Sequence, residues 1–283
     1  MLGTTYRTER VVGHGVAVAL LLLLFGAPAL AQSTRLKNIE LCNGADRTSS
    51  EPRIKGCTAL ILEGDEPRRI RAIAHNNRGN AYVAEGEYDR AIQDYDEAIR
   101  ISPNYARAFN NRAVAFGKKG EHERAVQDFD EAVKRDPGYG NAFINRAEMY
   151  LNKGQYDRAV QDYDEALRIQ PTVAAWNGRC HTRAVKGELQ AALADCTESL
   201  RREQSASAFE FRGFAYLKMG QMDLAISDYN AALRLDPKLA NSLYGRGLAL
   251  FKKGENSRGD ADHVAAKAIN PDIAEEFARH GLR

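Results

Sequence analysis

The chain has 283 residues, 44% of them apolar and 28% charged, which excludes a disordered polymer and leaves room for one large domain or two ordinary ones. Its 40 Lys and Arg are matched by 38 Asp and Glu, so no net field recommends nucleic acid or another anionic partner.

In chain order, Arg7 and Arg10 precede the apolar run VAVALLLLLF, residues 16–25, and Ala29 and Ala31 flank Leu30. This predicts a secretory signal over residues 1–31, cleaved after Ala31. The apolar run is too short to span a bilayer comfortably, so no stable membrane insertion is expected after its removal. The chain from Gln32 onward is expected to be periplasmic or secreted, where its four cysteines meet oxidising conditions and can pair.

Beyond the leader the chain repeats itself. Gly86, Gly120, Gly154, Gly187, Gly220 and Gly254 are separated by 34, 34, 33, 33 and 34 residues, and Pro103, Pro137, Pro171, Pro237 and Pro271 follow the same step. Apolar or small residues stand at helical spacing before each glycine, as in Phe109, Ala113 and Phe116, and after it, as in Ala125, Phe129 and Ala132. Each unit therefore predicts two amphipathic helices, the first closed by a left-handed glycine and the second stopped ahead of a proline.

The segment NNRGNAYVAEGEYDRAIQDYDEAIRISP, residues 76–103, closely resembles the tetratricopeptide repeat, with Gly79, Tyr82, Gly86, Ala91, Tyr95, Ala98 and Pro103 in its diagnostic slots. The resemblance covers six units over residues 70–271 and implies an all-α, right-handed superhelical solenoid of about six helical hairpins, its concave groove lined by the first helices. It implies no chemistry of its own. A capping helix is expected over residues 272–283, where Ile273, Ala274 and Phe277 share a face, and a degenerate helical hairpin over residues 32–69.

In the second unit Ala113 and Phe129 face each other across the hairpin, and in the fourth these slots hold Cys180 and Cys196. One disulfide explains both changes; the alternative is two buried thiols acting as small hydrophobes. A metal site that added His181 is disfavoured, because His181 points about 100° away from Cys180 on the helix. GCTALIL, residues 56–62, echoes DCTESLR, residues 195–201, so Cys42 and Cys57 are expected to bridge the leading hairpin.

Two charged columns run through the units. Arg78, Arg112, Arg146, Arg179, Arg212 and Arg246 each precede an acid by 16 residues: Asp94, Asp128, Asp162, Asp195, Asp228 and Asp262. Both flank their apolar stripes in the same sense, which predicts structural ion pairs within each hairpin or between neighbours. A ligand-binding arginine row would instead require exposed guanidinium groups.

The open side of the first helices is expected to present Asn76, Asn77, Asn80, Asn110, Asn111 and Asn145, then His181, Glu210, Phe211, Phe214, Tyr244, Leu248 and Phe251. The row Asn77, Asn111 and Asn145 is similar to the asparagine ladder of superhelical members that hold extended peptides; the alternative, of equal standing, is that asparagine in this helix simply suits the repeat. The lysines and arginine that chaperone-binding members use to grip a C-terminal carboxylate are missing, so that mode is not supported. Phosphate-cradling glycine loops, HExxH, GxSxG and CxxC are absent, and His75, His122, His181, His263 and His280 do not converge by spacing. No catalytic residue, metal or cofactor is expected.

The sequence thus reads as an exported interaction scaffold that takes a protein or peptide in its groove. The narrower alternative is a periplasmic assembly factor for envelope or polysaccharide export. From another class, a hydrolytic or carbohydrate-active enzyme would need titratable groups converging on one pocket. Self-association is a further reading, open to a sizing measurement.

Overall fold

The computed structural model describes residues 32–44, 49–63 and 66–282, and the expected signal over residues 1–31 lies outside them. All regular structure among the described residues is helical. The chain forms two compact units, Met1–Pro103 and Asn104–Arg283.

The first unit holds α1 (residues 32–42), α2 (Ser50–Leu62), α3 (Arg68–Ala84) and α4 (Tyr88–Ile101). A disulfide joins Cys42 to Cys57, with an S–S distance of 2.04 Å, and clamps α1 to α2. Beside it, a Cβ on Gly56 would meet Leu41 Cβ at 2.6 Å, so the close approach of these helices depends on the missing side chain. Arg35 donates through Nε and Nη2 to both carboxylate oxygens of Glu66, tying the hairpin to the segment that leads into α3.

The second unit stacks five hairpins: α5 (Ala106–Lys118) with α6 (His122–Arg135), α7 (Gly140–Asn152) with α8 (Tyr156–Ile169), α9 (Val173–Lys186) with α10 (Leu189–Arg202), α11 (Ala206–Lys218) with α12 (Met222–Leu235), and α13 (Ala240–Lys252) with α14 (Asn256–Ile269). A short helix, α15 (Ile273–Arg279), follows and packs on α13 and α14.

The turns show why the period is punctuated as it is. Gly120 has φ +80°, and the Glu121 amide donates to Phe116 O at 2.9 Å, closing α5 in a six-to-one cap. A Cβ on Gly120 would touch nothing, so the position demands glycine for its backbone conformation and not for space. At the other end of the repeat the Asp136 carboxylate accepts the Gly138 amide at 3.0 Å across Pro137, and Asp236 accepts that of Lys238 in the same way. At two of the junctions without an Asp-Pro pair, Thr172 Oγ1 caps α9 and Ser205 Oγ caps α11.

Alanines and one aromatic per second helix fill the interior: Tyr95, Phe129, Tyr163 and Tyr229 are buried, and Cys196 takes the aromatic's place in the third hairpin of the second unit. There a disulfide joins Cys180 to Cys196, with Cα atoms 5.4 Å apart. Among the described residues neither bridge leaves a free thiol.

Candidate functional site

The twelve charged residues pair inside their own hairpins, as six two-pronged forks among the described residues. Arg146 Nε donates to Asp162 Oδ2 and Nη2 to Oδ1, both at 2.7 Å, and Arg78–Asp94, Arg112–Asp128, Arg179–Asp195, Arg212–Asp228 and Arg246–Asp262 repeat the geometry. The third nitrogen reaches backward: Arg146 Nη1 donates to Asp130, Arg179 Nη1 to Asp164, Arg246 Nη1 to Asn230 and Arg78 Nη1 to Thr58, each on the preceding hairpin. The guanidinium groups are mostly covered, so this row offers a ligand little. Asp94 has a second partner, His75 Nδ1 at 2.9 Å; burial pushes its carboxyl upward, but the hydrogen bonds from Arg78 and His75 hold it below its ordinary value.

The asparagines sit differently from the sequence expectation. Asn76 and Asn110 do not stand in the open: each is only 4% exposed. Ten residues before the turn glycine, their column continues as Ile144, Asn177, Glu210 and Tyr244, all buried. Within the second unit it faces the next hairpin, as where Asn145 Nδ2 donates to Asn110 Oδ1 at 2.9 Å and Asn177 Nδ2 to Ser207 Oγ at 3.1 Å. In the adjacent, half-buried column Asn77 and Asn145 face backward inside their own units, Asn77 Nδ2 donating to Cys42 O and Asn43 Oδ1. Asn111 Oδ1 accepts from Asn110, and Asn80 Oδ1 accepts the Tyr95 hydroxyl at 2.7 Å. Asn77, Asn145 and Asn177 thus bond to a neighbouring hairpin, a demand that helix-face geometry for a single hairpin does not reveal.

The backward-facing column also explains the cysteine. It runs Asn77, Asn111, Asn145, Gly178, Phe211, Gly245. A Cβ on Gly178 would lie 2.3 Å from the Tyr163 ring of the preceding hairpin, and one on Gly245 would lie 2.3 Å from Tyr229 Oη. Phe211 follows the hairpin in which Cys196 has replaced that tyrosine, so the space denied to a side chain at Gly178 and Gly245 is open to a ring. The Phe211 ring stacks on His181 with centroids 4.4 Å apart and planes 10° from parallel.

In the second unit successive first helices approach one another closely, from α5 through α13, while the backbones of successive second helices stay farther apart among the described residues. The unit therefore bends toward its first helices. On that inner face three recesses meet at His181. One of about 400 Å³ lies between α7, α9 and α11, walled by Leu151, Tyr163, Asn177 and Phe211. One of about 510 Å³ reaches from the turn at Gly154 to Arg279 and His280. The smallest, about 120 Å³, is enclosed by Phe211, Phe214 and Glu210 of α11 and by Phe277 and His280 at α15.

Tyr244 and Leu248, expected on the open face, belong instead to a buried cluster under α15. The Tyr244 ring stacks on His263 at 4.0 Å and lies 4.9 Å from Phe277. The histidines need a second correction: His181 and His280 both border the smallest recess. Spacing could not bring them together, because α15 follows no repeat and folds back over the last hairpin. Burial, and secondarily His280, lowers His181 to about 4; burial, then Lys218 and Arg279, lowers His280. Neither histidine has a side-chain hydrogen bond to a carboxylate or hydroxyl among the described residues, so no proton-transfer pair is assembled. No group of three His, Cys, Asp or Glu among them is placed to hold a metal ion.

Residues 79–120 and 213–254 match the family described as TPR repeat, and residues 110–174 and 144–209 the one described as tetratricopeptide repeat; together they cover more than half of the chain. A tetratricopeptide repeat protein from Parabacteroides merdae is similar at 20% identity and a TM-score of 0.67, over 88% of this chain and 99% of its own. Pseudomonas aeruginosa pilF aligns at 19% identity and a TM-score of 0.64, over 75% of this chain and 99% of its own. PilW, described as a widely conserved type IV pilus biogenesis factor, aligns at 16% identity and a TM-score of 0.65, over 73% of this chain and 98% of its own. At these identities the likeness is one of fold. No curated protein matches by sequence.

Proposed function

Since the chain belongs to the tetratricopeptide-repeat family, we propose that it is an exported scaffold whose second unit holds an extended protein or peptide segment along the face of its first helices. One observation carries the reading: three recesses adjoin on that face, and the partly buried Phe211 and His181 rings stand beside them. Depressions in series with aromatic partitions suit alternate side chains of an extended chain. The amides, bonded to neighbouring hairpins, serve the stacking of repeats more than the ligand.

Two disulfides support function in an oxidising compartment, and no described helix is long and apolar enough to cross a membrane. The same bridges favour the narrower reading of a periplasmic assembly factor, to which pilF and PilW lend a fold and nothing more.

Phage-displayed random dodecapeptides selected on the full-length oxidised protein test the scaffold reading. Phe211→Ala is expected to weaken the selected peptides at least about tenfold with the far-ultraviolet spectrum unchanged. A triple Asn77, Asn111 and Asn145 to Ala variant is expected to lose stability before affinity. No enrichment over an unrelated helical protein removes the reading.

A further inference from the structure

The smallest recess has walls of one kind and a floor of another. Phe211, Phe214 and Phe277 supply rings, Phe214 and Phe277 packing edge to face with centroids 5.9 Å apart. Its charged polar groups are the two acids Glu210 and Glu276, beside the Asn241 amide and the His181 and His280 rings. Glu210, 7% exposed, accepts Ser242 Oγ at 2.7 Å on one carboxylate oxygen and Asn241 Nδ2 at 3.3 Å on the other; burial pushes its carboxyl above the ordinary value against the pull of these two donors. Glu276 enters from α15, one of its oxygens held by Asn270 Nδ2. Tyr229 also lines this cavity, and its fully buried Oη, which lies beside Gly245, has no hydrogen-bond partner among the described residues.

We propose that this recess receives one lysine or arginine side chain of the bound segment, an inference that rests on the peptide-binding reading above. About 120 Å³ corresponds to roughly four waters, the size of one long side chain. A cationic head has several donors and no acceptor, which matches Glu210 and Glu276, while its apolar stem and its charge both suit aromatic walls. The charges around the cavity agree. His181 and His280 are uncharged at neutral pH, because burial lowers both. Lys218 is turned aside: its Nζ donates to Ala184 O and Val185 O, 5.6 Å from the Phe214 centroid. Arg279 borders the neighbouring recess and not this one. The acids are thus left without a compensating cation in the cavity. This is the reverse of a carboxylate clamp, and it selects ligands of opposite charge.

Dodecapeptides selected on the full-length oxidised protein are expected to share a Lys or Arg at one fixed position. Replacing it by norleucine should lower affinity at least about tenfold, and the penalty should shrink below about threefold on Glu210→Gln or Glu276→Gln. Glu276 lies on the half-exposed side of α15, so that variant carries the test if Glu210→Gln fails to fold. If enriched peptides bind equally with norleucine, the cationic pocket is wrong and the scaffold reading stands. If nothing is enriched, both fall.

Discussion

Gly178 and Tyr163 are two halves of one decision about space. Tyr163 is almost fully buried, and its ring lies where a Cβ on Gly178 would be, 2.3 Å away. Gly178→Ala is therefore expected to cost about 2 kcal/mol through overpacking in the wild type and almost nothing in a Tyr163→Ala background. Urea denaturation of the four proteins of the cycle checks this; equal penalties in both backgrounds would deny the contact. Gly120→Ala serves as the control, since its cost of about 1 kcal/mol is conformational and no neighbouring ring should alter it. The same exchange, run the other way, made room for Phe211: a tyrosine lost to Cys196 in one hairpin becomes a ring gained on the inner face in the next. That Cys196 replaced an aromatic was legible from the period. What the vacated space is used for depends on the register between hairpins, which no single repeat encodes.

At the scale of the hairpin, the Arg–Asp forks tie two helices together, and in Arg78, Arg146, Arg179 and Arg246 the third nitrogen ties the hairpin to the one before. A fork this well covered gains much of its Coulomb attraction back only against the cost of desolvation, so its two halves are worth more together than apart. Asp162→Leu alone leaves Arg146 covered with only Asp130 for a partner and is expected to cost about 3 kcal/mol; Arg146→Met with Asp162→Leu should cost less than that single change. Chemical denaturation of both variants decides it, and a double variant at least as unstable as Asp162→Leu would mean the fork is a net source of stability. These pairs could be read from the sequence because a constant 16-residue step places both ends at one height of one hairpin. The asparagines could not, since Asn110 and Asn145 meet only when hairpins stack, and a helix wheel treats that contact side as open surface.

Over the whole second unit, stability in a stacked array is local: each hairpin rests on its neighbours, and the last has one neighbour fewer. The short α15 supplies what is missing. Ile273 and Phe277 are buried against the final hairpin, and Phe277 bridges Phe214 of α11 and Tyr244 of α13. The sequence announced a capping helix by its one apolar face, yet its fold-back over the inner side was hidden, because α15 lies outside the period that locates everything else. Removing residues 272–283 forfeits roughly 2 kcal/mol for each of the two side chains and uncovers Tyr244 and Leu248. Amide exchange is then expected to quicken through α13 and α14, to rise less in α11, and to stay unchanged in α5 and α6. Protection lost evenly along the unit would mean that it unfolds as one cooperative block; protection kept in α13 would reduce α15 to a lid over the smallest recess with no share in holding the array.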